Sequence, residues 1–214
     1  MDRRLVVFLA LLLPVLVWSG FAPHDRFTWL LEVAPVLIGV PLIVAVRRKF
    51  PLSTLLLVLV GLHCVVLMVG GKYTYALVPA GEWAKEWFGW SRNNYDKLGH
   101  FAQGFVPAIL TREILLRTSP LRDRGDGRPS RWLAFLCGSV CLAFSAFYEL
   151  IEWWVAVASG EAAESFLGTQ GYVWDTQSDM AWALGGAMAA LTLLSRGHDR
   201  SMARLFHAGT DRTR

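Results

Sequence analysis

The chain has 214 residues, 54% hydrophobic and 18% charged, with a formal net charge of +4. Counted with glycine and without tyrosine, the apolar share is about 60%, against about 45–50% in soluble domains. Together with a mean hydropathy of +0.40, this excludes a disordered chain and an ordinary soluble domain.

The apolar residues fall in blocks near twenty residues long, the length at which lipid rather than a protein core solvates a helix. Taken in chain order, six blocks predict membrane spans at about 5–20, 28–46, 52–69, 96–116, 132–157 and 176–195. The first opens on Arg3 and Arg4 and is the shortest. It is read as a retained helix rather than a signal peptide, because Trp18-Ser19-Gly20 is a poor cleavage site. Between the third and fourth blocks lies the longest outer segment, 70–95. Within it, Trp83, Trp87 and Phe88 oppose Glu82, Lys85 and Glu86, which predicts a short interfacial helix over 79–89. The 117–131 segment, RTSPLRDRGDGRPSR, reads as a polar turn. The expectation is one polytopic domain over 1–214, an all-α six-helix bundle.

Basic residues orient it. Arg3, Arg4, Arg47, Arg48, Lys49, Arg117, Arg122, Arg124, Arg128, Arg131, Arg196, Arg200, Arg204, Arg212 and Arg214 fall on one side. Arg26, Lys72, Lys85 and Arg92 fall on the other. Fifteen against four predicts both termini in the cytoplasm of a bacterial inner membrane. Nine of the ten tryptophans, all but Trp132, sit at or near the opposite boundary, as an interfacial belt does. The basic loops are short and lack aromatic readers, so no nucleic-acid partner is expected. Membrane lipid is the expected surrounding; oligomeric state stays open.

Charged groups inside spans are costly and mark candidate sites. The fourth span opens DKLGHFAQG, with Asp96, Lys97, His100 and Gln103. The fifth carries YELIEWW, with Tyr148, Glu149 and Glu152. The sixth opens WDTQSDM, with Asp175, Gln177 and Asp179. Alternating span directions bring all three motifs to one depth near the outer face. Spacings of three or four residues place each pair on one helix face. Asp96 is read as orienting His100, in the way carboxylates orient imidazoles. Crowded carboxylates in a low dielectric require a counter-charge: protons, Lys97 or a cation. Asp96, His100, Glu149, Asp175 and Asp179 form a candidate ligand set for a divalent metal. His100, Glu149 and Glu152 are the candidate acid–base groups. The alternatives are a cation, proton or amine-headgroup binder or transporter, and a polar network that only fixes helix packing.

Other polar positions are read more plainly. Glu32 is placed at the interface, and His63 as a core histidine bonded to a backbone carbonyl. Arg112 and Glu113 are snorkelling or paired. His198 and His207 belong to a solvated C-terminus. Cys64, Cys137 and Cys141 are apolar packing residues rather than a disulfide or metal pair. Gly99, Gly104, Gly185 and Gly186 mark close helix contacts.

DKLGHFAQG, YELIEWW and LGTQGYVWDTQSDM together resemble the YjdF-type family of bacterial inner-membrane proteins, a domain family of unknown function. The resemblance runs from the second span to the end of the sixth. In that family an acidic residue usually follows the QG pair; here it is Tyr172, which leaves Asp175 and Asp179 as the ligand candidates of the motif. A looser similarity to VanZ-like membrane proteins, linked to cell-envelope glycopeptide resistance, covers Asp96, Lys97, His100, Phe101, Glu149, Asp175 and Asp179. The resemblance implies a bacterial plasma-membrane protein and supplies no reaction. The leading functional expectation is a membrane-embedded, metal-assisted enzyme acting on a lipid or lipid-linked envelope substrate.

Overall fold

A computed structural model describes residues 2–122, 130–159, 164–167 and 169–210. Arg124, Arg128, Arg212 and Arg214 lie outside the described residues, as do the side chains of Arg122 and His207. Among the described residues every regular element is helical. The helices are α1 (Arg3–Gly20), α2 (Arg26–Val46), α3 (Thr54–Tyr73), α4 (Pro79–Phe88), α5 (Tyr95–Thr118), α6 (Arg131–Ser159), α7 (Glu164–Leu167) and α8 (Asp175–Thr210), with a 3₁₀ turn at Pro120–Arg122.

Local chemistry sets the helix starts. Asp2 accepts from the Arg4 N–H at 3.1 Å, Asp25 from Thr28 at 2.6 Å, and Ser53 from Leu56 at 3.4 Å. These caps satisfy amide donors that the first helical turn leaves open. Pro79 begins α4, where its missing N–H costs nothing, and Gly89 ends it at φ +63°. The Thr28 amide bond holds the Asp25 carboxyl below its ordinary value of 3.8. A depressed acid stabilises the fold above its unfolded pKa and loses that contribution as pH falls through the folded one. Asp25→Ala is therefore expected to cost about 1 kcal/mol near neutral pH. In thermal melts the gap between variant and parent should close below the ordinary carboxyl range.

Among the described residues four helices, α1, α2, α3 and α6, are long and apolar enough to cross a membrane. Only 17–33% of their most apolar stretches is buried inside the bundle. Leu11, Ile38, Leu62 and Phe144 point outward, each at least 60% exposed. Such surface is untenable in water and ordinary against acyl chains. The interior is built from Phe8, Val33, Leu56, Met68, Ile109 and Cys141, with Ala187 and Ala190. α5 is the hub: it packs against α3, α6 and, most extensively, α8. Its 24 residues and the 36 of α8 are long enough to span, yet both carry more charge than the other four.

Small residues bring α5 and α8 together. A Cβ built on Gly104 would lie 1.6 Å from the Ala183 carbonyl oxygen, and one on Gly186 2.1 Å from the Phe101 carbonyl oxygen. Gly99 is covered by the Tyr75 ring. Gly185 differs from expectation: nothing approaches it within 4 Å, because Gly186 alone turns toward α5. The cysteines are free and buried, and Cys141 lies 3.5 Å from the Gly104 carbonyl.

The largest departure from the sequence reading is the end of α8. The sixth block is expected to finish near 195, but the helix continues to Thr210. Its extension is docked rather than solvated. His198 is fully buried, Met202 packs with Leu116, Leu133 and Cys137, and Ser201 accepts from the Leu55 amide at 3.0 Å. His198, Ser201 and Met202 share one face at i, i+3 and i+4, so the polar sequence conceals an amphipathic face.

Candidate functional site

The start of α5, the last third of α6 and the start of α8 meet at one end of the bundle. Lys97 lies at the centre of an ionic network there. Its Nζ donates to Asp175 Oδ1 and to Asp179 Oδ1, each at 2.7 Å, and lies 3.4 Å from Asp96. Arg92 enters from the segment before α5. It donates to Asp175 at 2.6 Å and makes a very short contact with Asp96. The three aspartates thus share two cations, whose attraction offsets part of the cost of burying them. Asp96 pairs with these cations and not with His100, contrary to the orienting role expected for it.

His100 is held instead by Gln103, its Nδ1 lying 2.9 Å from Oε1. With the amide oxygen accepting, Nδ1 carries a hydrogen, and Nε2 is the ring nitrogen turned away from Gln103. That nitrogen faces Asp179 Oδ2 at 3.6 Å, beyond a good hydrogen bond. Glu149 Oε1 is buried without a hydrogen-bond partner. One ligand atom each from His100, Glu149 and Asp179 lies within 4.8 Å of the others. A ring nitrogen and two carboxylate oxygens, potential ligand atoms on three helices, therefore converge. Asp96, Asp175 and Asp179 also cluster within that distance, but there the Lys97 ammonium already serves as the cation.

A second acidic pair lies beside this centre. Glu32 of α2 is buried and accepts from the Tyr148 hydroxyl at 3.3 Å, with Tyr75 also facing it. This corrects the interfacial placement: Gly71 of α3 lets α2 approach closely, a Cβ there lying 3.2 Å from Glu32 Cβ. Tyr75 sits in the turn after α3 at φ +52°. Burial, with the nearby Glu32 charge, pushes its hydroxyl well above its ordinary value, so it is a proton donor at neutral pH. Glu152 has Glu149 and Glu32 as its charge neighbours. Gln177 is exposed and does not join the centre.

Residues that the sequence reading did not assign hold the site in place. Gln170 clamps Asn93, accepting from its amide at 3.1 Å and donating to its carbonyl at 2.9 Å. Asn93 is fully buried and donates to Val78 O and Glu82 Oε1, tying α4 to the start of α5. The Tyr172 ring lies 5.7 Å from both Arg92 and Lys97. Where the resembled family places an acid, this chain offers a π-face to the same two cations. The TQGY segment was the available signal for all of these contacts.

A second polar cluster occupies the opposite end. Glu113 and His198 are fully buried, and His198 Nε2 donates to Glu113 at 2.9 Å. Arg112 donates to His198 Nδ1 at 2.8 Å and to Asp199 at 2.7 Å. Arginine cannot accept, so His198 is fixed as the neutral Nε2–H tautomer. Glu113 also accepts from the Ser53 amide at 3.0 Å and from Arg117 at 2.8 Å. Glu113→Ala should cost about 3–5 kcal/mol, the usual effect of stranding buried partners. A thermal melt in detergent reads it; a loss under 1 kcal/mol would mean that the cluster is not a structural latch.

His63 differs from expectation as well. Its Nε2 is buried with no hydrogen-bond partner, and the side chain lines an apolar groove instead of bonding a carbonyl.

These features define a helical membrane protein with an ionic, histidine-containing centre at one end of its bundle. The chain belongs to the family described as "Predicted membrane protein (DUF2238)", which it matches over residues 4–200. It is 53% identical over 190 residues to the inner membrane protein YjdF of Escherichia coli (strain K12), covering 89% of this chain and 88% of that protein. No solved structure matches it.

Proposed function

We propose that the chain is a six-span inner-membrane protein with cytoplasmic termini, in which α5 and α8 also cross and α4 lies in the outer interface. In this reading His100, Glu149 and Asp179 hold a divalent cation and serve chemistry on a lipid or lipid-linked envelope substrate entering from the outer leaflet. The observation that carries it is the convergence of ligand atoms from His100, Glu149 and Asp179 to within 4.8 Å of one another, with Glu149 Oε1 buried and unpartnered. Gln103 on the far nitrogen of His100 is the usual arrangement behind a metal-bound imidazole. The bound cation would polarise a substrate oxygen or activate water. Glu152, beside Glu149, is the candidate general base. The exposed Trp83, Trp87 and Phe88 of α4 suit an outer interface.

A second reading, a binder of a cation or amine headgroup, is favoured by Glu32 and Glu152. Neither has an ion-pair partner among the described residues. Transport through the bundle is disfavoured: Ile109, Ala187 and Ala190, all fully buried, fill the space between the two polar ends. To test catalysis, the protein is reconstituted in vesicles of bacterial polar lipid and lipid-linked intermediates, with Mn²⁺ or Zn²⁺, and the lipids are followed by mass spectrometry. A new product that requires metal and disappears in His100→Ala supports the enzyme. Tight metal or amine binding with no lipid turnover would favour the second reading.

A further inference from the structure

Two cavities adjoin at the basic end of the bundle, remote from the ionic centre. One, about 280 Å³, is lined by Arg4, Arg47 and Arg48, with Asp2 as its acid. The other, about 460 Å³, is an almost wholly apolar groove between α2, α3 and α5. Ile43 and Leu52 belong to the walls of both. The groove starts near Pro35 and His63, deep along the helices, and ends at Phe50, over whose ring Arg117 stacks at 3.5 Å.

Charge and polarity are therefore segregated as in a phospholipid. The polar pocket carries three arginines against one aspartate. Arg4 is committed to Asp2 and Thr54, and Arg47 donates to the Val44 carbonyl at 2.5 Å. Arg48 is exposed and makes no ion pair among the described residues. A net positive pocket at the membrane surface attracts an anionic headgroup, and basic pockets between helices at that depth are recurrent headgroup sites. An apolar groove flanked by lipid-facing helices is completed by an acyl chain, since water there would meet almost no hydrogen-bonding partner.

We propose that this end of the bundle is a binding site for one anionic phospholipid, its phosphate on Arg47 and Arg48 and one acyl chain in the α2–α3–α5 groove. The two halves can be altered separately. Arg47→Gln/Arg48→Gln removes charge while keeping hydrogen-bonding side chains. Gly39→Phe fills the groove from a position with nothing within 4 Å, so it needs no helix displacement.

The test is native mass spectrometry of the full chain released from detergent after exchange with phosphatidylglycerol or phosphatidylcholine. The parent protein should retain about one phosphatidylglycerol and little phosphatidylcholine. The double arginine variant should lose retention on the order of tenfold, as removal of two surface cations predicts. Gly39→Phe should also lose it, and inorganic phosphate should not compete, because the chain supplies part of the binding. Thermal melts confirm that both variants stay folded. Equal retention of both lipids, retention unaffected by both variants, or displacement by inorganic phosphate alone would each overturn the proposal.

Discussion

Glu149→Gln is expected to lower the affinity of the purified protein for Mn²⁺ or Zn²⁺ by about 100-fold or more while leaving the fold intact. The expectation follows from the proposed metal centre. Glu149 Oε1 is buried with no hydrogen-bond partner, so making the carboxylate an amide breaks no hydrogen bond at that atom. It also removes a negative charge from a buried neighbourhood already crowded with carboxylates, so stability should hold or rise. A structural network behaves oppositely: there the variant would lower the melting temperature and leave metal affinity unchanged. Gln103→Ala provides a graded control. Gln103 touches His100 and not the proposed ion, so its loss should weaken binding by about 10–100-fold. Isothermal titration in detergent separates these outcomes. Unchanged affinity in both Glu149→Gln and His100→Ala would end the metal reading.

Gly104→Val should be the most damaging single substitution in the bundle. Its Cβ would fall 1.6 Å from a backbone carbonyl of α8, and backbone cannot rotate aside as a side chain does. The helices must separate, and α5–α8 is the most extensive contact in the molecule. Overpacking of this kind typically costs about 1–3 kcal/mol and more where the neighbour is rigid. The separation also moves Lys97 away from Asp175 and Asp179, which sit on the opposite helix at 2.7 Å. The fold and the ionic centre should therefore fail together, seen as aggregation in size-exclusion chromatography. Gly185→Val, one residue from the matching contact but with open space around it, should behave like the parent. If the two variants behave alike, close approach of α5 and α8 is not what holds this end of the bundle.

Much of the architecture was legible because its signals are local. Block length and hydropathy located the helices to within a few residues at most ends, and Pro79 with Gly89 bounded α4. The three acidic motifs could be placed at one end because α5, α6 and α8 alternate in direction. His198 departs from that pattern. A charged, polar stretch after an apolar span resembles a solvated tail, and the face that it buries is visible only once α3 and α5 lie beneath it. Arg92 was likewise counted as a loop cation. Its role depends on Gln170 clamping Asn93, a pairing 77 residues apart.

The sequence by itself determined an all-helical membrane chain, most of its helix limits, and that the motifs of α5, α6 and α8 share an end of the bundle. These follow from desolvation and from the helical repeat, which act along the chain. Only the tertiary structure decided how the charges pair. Lys97 and Arg92 pair with Asp96, Asp175 and Asp179, while His100, Glu149 and Asp179 bring one potential ligand atom each within 4.8 Å of the others. Pairing depends on differences of about an ångström in side-chain reach, and those are set by how closely Gly104 and Gly186 let two distant helices approach.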